Sequence, residues 1–140
     1  MFKKILIAND GSEGGFKALT AALRLAHSHK TQLHMVCVEE IQWMPAGSRE
    51  EVIGQKEIAD RKFAEVVANA EVEAKHHRVK LNSHVLVGHA VPAIVDFVER
   101  DRFDLLVTGF MGHSALYNRV IGSTTDRLVE LAPCTVLVVK

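Results

Sequence analysis

The sequence predicts an α/β protein with a doubly wound parallel sheet covered by helices on both faces. Short apolar runs typical of strands occur five times along the chain, and stripes of apolar residues at helical spacing lie between them. Parallel strands need long crossover connections, and a helix between successive strands supplies each one. Because 140 residues with 48% hydrophobic content bury one ordinary core, we expect a single domain over residues 1–140.

The first elements follow from local patterns taken in chain order. An apolar run at 4–8 predicts strand one, and the Asn9-Asp10-Gly11-Ser12 turn ends it and suits a helix cap. Apolar residues from Phe16 to Ala26 recur at spacings of three and four, so they predict a helix that faces the sheet. The run at 33–38 predicts strand two.

The rest of the chain repeats this alternation. Ser48 to Glu51 has the form of a capping box and predicts the start of a long helix, whose apolar stripe runs from Ala59 to Ala74. Pro92 suits the first turn of a third helix, because proline lacks the amide hydrogen that a helix interior uses. The remaining predictions are strands at 81–87, 104–108 and 135–139 and a last helix at about 123–131.

Composition limits the partners. Lys plus Arg and Asp plus Glu each number 17, so no net charge attracts the protein to nucleic acid or to a membrane surface, and an anion site must be local. The apolar run at 5–8 is too short for a signal peptide or a membrane span, so we expect a cytoplasmic protein. Cys37 and Cys134 lie in apolar runs, which favours buried thiols over a disulfide.

A glycine-rich segment joins strand four to the last helix. Gly109, Gly112, Gly122 and Ser123 have the spacing G-x2-G-x9-G-S. Glycines let backbone amides approach a ligand, and a helix N-terminus favours an anion. The same residues also suit a tight turn followed by an ordinary N-cap at Ser123. The spacing alone leaves both interpretations open.

Three motifs together resemble the universal stress protein family, and specifically its ATP-binding members. They are the opening "ILIANDGS", the G-x2-G-x9-G-S segment and the closing "APCTVLVVK", so the resemblance covers the whole chain. It implies the strand order 3-2-1-4-5, a homodimer, and an adenine nucleotide across the carboxyl ends of strands one and four.

The resemblance also implies roles for individual residues. Asp10 would accept a hydrogen bond from the adenosine, although an aspartate there also suits capping of the turn. Val38 would line the adenine pocket, and Gly109 and Gly112 would pass close to the ribose and first phosphate. ATP is the expected ligand, with AMP or ADP as alternatives and Mg²⁺ as a possible companion. The outer phosphates would contact Gly122, Ser123 and Thr124, with Thr125 as a fourth member.

Two positions depart from the family pattern. Members more often carry a small polar residue and a histidine or arginine where this chain has Phe110-Met111, and arginine or lysine where it has His113. An unperturbed imidazole has a pKa of about 6.5, so His113 is only partly cationic near neutral pH. The sequence therefore predicts that ATP affinity rises as the pH falls. Arg119 is either a constant positive charge at the site or a solvated loop residue.

Other nucleotide and metal motifs do not fit. Gly11 to Gly15 does not match the dinucleotide-binding G-x-G-x-x-G, and no P-loop sequence occurs. His27 and His29 suit a helix C-terminus, and the adjacent His76-His77 point in different directions on a helix, so no metal site is expected. Trp43 either covers the adenine or shields the start of the long helix.

No residue has the features of a dedicated catalyst. Hydrolysis needs a positioned base and a group that stabilises the leaving charge, whereas Glu39 and Glu40 are expected to be solvated at the end of strand two. The leading expectation is a dimeric ATP-binding regulatory protein of the stress response, acting on an unidentified downstream protein. A slow nucleotide hydrolase or transferase, and a dimerisation module that binds no nucleotide, are the alternatives.

The edges of the expected sheet suggest how two copies associate. Strand three carries Lys80, Asn82, Ser83 and His84, which discourage pairing at one edge. Strand five, Thr135 to Val139, carries no charge. We therefore expect strand five to pair with its copy in a twofold dimer, or to be covered.

Overall fold

The protein is described by a computed structural model at residues 1–41, 48–111 and 121–140. Within these ranges, the strands are β1 (Ile5–Ala8), β2 (Leu33–Glu39), β3 (Leu81–Val87), β4 (Leu105–Gly109) and β5 (Thr135–Val139). The helices are α1 (Glu13–His29), α2 (Arg49–His76), α3 (Ala90–Arg100) and α4 (Ser123–Leu131). All strand pairs are parallel and the order is β3-β2-β1-β4-β5, which confirms the predicted fold class.

Two apolar layers enclose the sheet. Ile5 and Ile7 of β1 face the layer formed with α1 and α2, whereas Leu6 faces the layer formed with α3 and α4. Successive strand residues point to opposite faces, and all three of these side chains are fully buried. Burial on both faces explains why β1 is a continuous apolar run.

Side chains fix the starts of the first two helices. The Ser12 hydroxyl accepts a hydrogen bond from the Gly15 amide at 3.1 Å, and the Ser48 hydroxyl accepts one from the Glu51 amide at 3.2 Å. Each bond satisfies one of the amides that a helix leaves without an internal partner. The predicted start of the long helix at Ser48 is confirmed.

The short β1 creates a crevice at one end of the sheet. The last residue pairs of β1 are Ala8 with Val36 of β2 and Ile7 with Val107 of β4. Because β2 continues to Glu39 and β4 to Gly109, both strands extend beyond the carboxyl end of β1. The strand order also reverses between β1 and β4, and ligands of open α/β sheets bind at such a point.

The edge formed by β3 is polar at its start and apolar at its end. The His84 ring stacks on His34 of β2 with the centroids 5.4 Å apart, and the Asn82 amide donates to Gln32, which directly precedes β2, at 3.0 Å. Val85 and Val87 are 44% and 56% exposed. The prediction that Lys80, Asn82, Ser83 and His84 discourage pairing stays a prediction, and the end of β3 nearest the crevice exposes apolar side chains.

Both cysteines carry free thiols. Cys37 is buried, and its burial raises the pKa of the thiol to about 12. It therefore packs as a small apolar side chain at neutral pH, as predicted. In the described ranges, no helix combines the length and apolar character needed to cross a membrane.

Candidate functional site

A cavity of about 610 Å³ occupies the crevice above the end of β1. Its lining comes from the ends of the central strands, from the N-terminal turns of three helices and from one side of α2. The volume lies in the range of small-molecule sites, roughly 300–1,000 Å³. The cavity is therefore large enough for a nucleotide.

Seven of the nine residues predicted from the sequence line this cavity. Gly112 and His113 lie outside the described residues, as do Trp43 and Arg119. The seven that the fold brings together are Asp10, Val38, Gly109, Gly122, Ser123, Thr124 and Thr125.

The N-terminus of α4 faces the cavity without a side-chain cap. Gly122 is the N-cap residue and provides no side chain, while Ser123 and Thr124 in the first turn are exposed. At the other two helix N-termini that line the cavity, side chains already accept hydrogen bonds from backbone amides. Ser12 caps α1, and the Glu40 carboxylate accepts from the amide of Ala90, the first residue of α3, at 2.7 Å. Within the described ranges, α4 thus offers the amides best placed for an anion.

Three hydrogen bonds fix both ends of the segment between β4 and α4. The Phe110 amide donates to the Val139 carbonyl at 2.9 Å, and the Phe110 carbonyl accepts from the Gly122 amide at 2.8 Å. The Thr125 hydroxyl donates to the Gly109 carbonyl at 2.6 Å. Since a hydroxyl has one hydrogen, Thr125 uses its donor to join α4 to the end of β4.

Gly109 lets the end of β4 pack closely against the start of α1. The glycine spacing in the sequence does not distinguish this packing role from contact with a ligand. A Cβ atom at Gly109 would lie 2.7 Å from the Gly14 carbonyl oxygen, and one at Gly14 would lie 2.5 Å from the Met111 carbonyl oxygen. Real Cβ atoms essentially never come that close, so both glycines are needed where β4 meets the start of α1. The backbone at the end of β4 is therefore held tightly against α1.

Asp10 lies in the turn after β1, where side chains of the turn accept hydrogen bonds from its own amides. Asp10 also lines the cavity. Its Oδ1 accepts from the amide of Ser12 at 3.0 Å and from the Ser12 hydroxyl, while Oδ1 of Asn9 accepts from the Gly11 amide at 2.9 Å. Gly11 has a φ of 83°, a left-handed conformation that glycine adopts without strain. The capping role weighed for Asp10 is therefore present, and the same carboxylate borders the cavity.

Val38 lies where β2 extends beyond its neighbour. The pairing of β1 with β2 ends at Val36, so the backbone of Val38 is two residues past the last β1 partner. On the opposite side it pairs with Leu86 of β3. Its edge toward β1 consequently borders the cavity rather than another strand, which suits hydrogen bonding to a planar ligand.

One wall of the cavity was missed by the sequence analysis. Gln55, Ile58, Ala59 and Lys62 of α2 line it at the spacing i, i+3, i+4, i+7, which places them along one side of the helix. Ile58 is 63% exposed, so it presents apolar surface to the opening. The same spacing is present in the sequence, but the apolar stripe from Ala59 to Ala74 predicts only that α2 packs on the core.

The expectation that Glu39 is solvated is wrong. Glu39 is 1% exposed, and its carboxylate lies 2.8 Å from the Lys56 ammonium, which also contacts Asp60. The hydrogen bond to Asp60 has the largest effect in raising the pKa of Lys56, and the hydrogen bond to Glu39 raises it further. This network ties the carboxyl end of β2 to α2 and thereby positions the missed wall.

Together, the doubly wound sheet and its crevice define an α/β protein of the class that binds ligands at the carboxyl ends of its strands. The sequence profile of the universal stress protein family matches residues 1–140, and the chain belongs to that family. It is 29% identical over 143 residues to a universal stress protein of Methanocaldococcus jannaschii, covering 100% of this chain and 83% of that protein.

Solved structures share the fold. Universal stress protein UspA from Lactobacillus plantarum matches with a TM-score of 0.88 at 23% identity, covering 99% of this chain and 98% of that one. A universal stress protein in complex with cAMP matches with a TM-score of 0.77 at 21% identity, covering 99% of this chain and 97% of that one. A universal stress protein family protein from Arabidopsis thaliana with AMP bound matches with a TM-score of 0.69 at 17% identity, covering 99% of this chain and 91% of that one.

Proposed function

We propose that the protein binds an adenine nucleotide in the cavity and acts as a dimeric regulatory protein of the stress response. The observation that carries the proposal is the exposed first turn of α4, which directs uncapped amides at a cavity of nucleotide size. Two family proteins of the same fold bind cAMP and AMP, which supports an adenine ligand here.

The lining suggests how the nucleotide lies. The adenine would pack between Val38 and the exposed Ile58, and its edge would hydrogen-bond to the backbone of Val38. Asp10 would accept a hydrogen bond from the ribose. The phosphates would extend to the amides of Ser123 and Thr124, where the helix dipole favours negative charge. Mg²⁺ would accompany ATP through the phosphate oxygens, as it does in many nucleotide sites.

Binding without rapid turnover is the proposed role. The two carboxylates among the described lining residues have structural partners, since Glu40 caps α3 and Asp10 holds its turn. The neighbouring Glu39 pairs with Lys56. A base that activates water must be within hydrogen-bond reach of it, and these interactions compete with that task. A single-turnover assay with protein in excess of ATP tests this point, since stoichiometric ADP would indicate a hydrolase instead.

A proline substitution tests the α4 contact directly. Ser123 is the first helical residue, and Gly122 before it has a φ of −64° and a ψ of 148°, a conformation that the residue before proline favours. Ser123→Pro therefore removes one amide donor while the helix start is kept. Since a hydrogen bond to a charged group contributes about 1.5–3 kcal/mol, we expect ATP affinity to fall at least tenfold by calorimetry.

Ser123→Ala is the matched control. It removes the hydroxyl and keeps the amide, so its loss of ATP affinity should be clearly smaller than that of Ser123→Pro. Equal affinities for the proline variant and the wild type would contradict the assignment of phosphate to α4. Failure of the wild type to bind any adenine nucleotide would contradict the proposed function itself.

We also propose that β5 forms the dimer contact. Among the described strands, β5 pairs only with β4, which leaves its other edge open. Leu137 on β5 is 37% exposed, and Val129 and Leu131 on the neighbouring α4 are 48% and 46% exposed. An uncharged open edge next to exposed apolar side chains favours pairing with a second copy.

A further inference from the structure

The described residues that line the cavity include more carboxylates than cations. Among its described lining residues, Asp10 and Glu40 are carboxylates, and Lys62 of α2 is the one cation. Two negative charges oppose a polyphosphate, so a nearby cation has a large influence on which nucleotide binds.

Lys62 lies at the part of α2 that approaches the turn after β1. Its Cε atom would be 3.7 Å from a Cβ atom at Gly11, which follows Asp10 directly. The ammonium lies over the ring of Phe63, 5.0 Å from its centroid, and the residue as a whole is exposed. The end of the Lys62 side chain therefore lies near both the turn after β1 and the Phe63 ring, at the lining of the cavity.

Among the described residues, Lys62 and the amides of α4 approach the cavity from opposite faces of the sheet. Phe63 of α2 belongs to the apolar layer on one face, and Leu128 of α4 belongs to the layer on the other. Both helices nevertheless contribute to the same cavity lining. A ligand above the end of β1 thus lies between Lys62 on one side and the amides of α4 on the other.

We infer that Lys62 is a specificity-determining residue that donates a charge-assisted hydrogen bond to the phosphates of the bound nucleotide and favours ATP over adenosine. This inference rests on the proposed function. A lysine acts as a compact, flexible point charge, so it can follow a phosphate chain without requiring one fixed geometry. The interaction offsets the repulsion from Asp10 and Glu40.

The test compares adenosine, AMP and ATP by calorimetry at low ionic strength. Lys62→Gln should weaken ATP binding about tenfold, weaken AMP binding less and leave adenosine unchanged, because the lost interaction involves only phosphate. Lys62→Arg keeps the charge and should retain ATP affinity within about threefold. The salt dependence of ATP affinity should also be shallower for Lys62→Gln than for the wild type.

Lys75→Gln on the same helix is the control. Lys75 is exposed, and 13 residues of helix separate it from Lys62, or about 20 Å at 1.5 Å per residue. The Lys75→Gln variant should bind ATP with the same affinity as the wild type. The inference is overturned if Lys62→Gln binds ATP as tightly as the wild type, or loses adenosine affinity equally. A wild type that binds neither adenosine nor ATP would instead overturn the proposed function, so the two failures are distinguishable.

Discussion

The hydrogen bond from Thr125 to Gly109 should stabilise the fold measurably. Thr125 is 5% exposed, and its hydroxyl lies 2.6 Å from the Gly109 carbonyl oxygen. Valine has nearly the same shape and helix propensity as threonine, so Thr125→Val removes the donor with little other change. The Gly109 carbonyl also accepts from the Thr108 hydroxyl, but at the longer distance of 3.5 Å. Loss of the shorter bond should therefore lower the free energy of unfolding by about 1–2 kcal/mol.

Urea unfolding followed by far-UV circular dichroism measures this effect at one fixed protein concentration. With a slope of about 2 kcal/mol per molar urea, the middle of the usual range, the midpoint should fall by roughly 0.5–1 M while the slope stays the same. Thr124→Val is the control, because Thr124 is exposed in the same turn and its replacement should change stability by less than about 0.5 kcal/mol. Equal midpoints for the two variants would refute the role given to Thr125.

Two further predictions concern the edge of the sheet and the histidine pair. Val138→Lys places a charge on the open edge of β5 and should give monomers or insoluble protein by light scattering, whereas an unchanged dimer would contradict pairing through β5. Burial and the neighbouring His84 lower the pKa of His34 below 6.5. Below pH 6.5, His34 therefore binds a proton more readily in the unfolded chain than in the folded one. Its contribution to the free energy of unfolding is complete above pH 6.5 and should be lost as the pH falls from 6.5 through the lowered pKa. Midpoints of urea unfolding from pH 8 to 5 should depend less on pH for His34→Gln than for His76→Gln, and parallel curves would contradict this.

The elements could be predicted because their signals are local. The capping box at Ser48 and the apolar runs of the strands each depend on residues within a few positions, and the structure places each strand within one residue of its predicted limits. Helix α1 extends three residues beyond each end of the apolar stripe that predicts it. The strand order came from the resemblance of three motifs to a family and not from these local patterns.

The features that the sequence did not reveal depend on distant contacts. Glu39 is buried because Lys56, 17 residues later, reaches it from another element. Gly109 must be glycine because Gly14 of α1 approaches it, which the glycine spacing alone cannot distinguish from a ligand contact. The position of Lys62 at the cavity likewise depends on how α2 crosses the end of the sheet.

The most direct test of the nucleotide site is a crystal structure of the protein grown with ATP. The account predicts phosphate oxygens within about 2.7–3.2 Å of the amide nitrogens of Ser123 and Thr124, with the adenine against Val38. An empty cavity at saturating ATP, or a nucleotide bound with its phosphates directed away from α4, would contradict it.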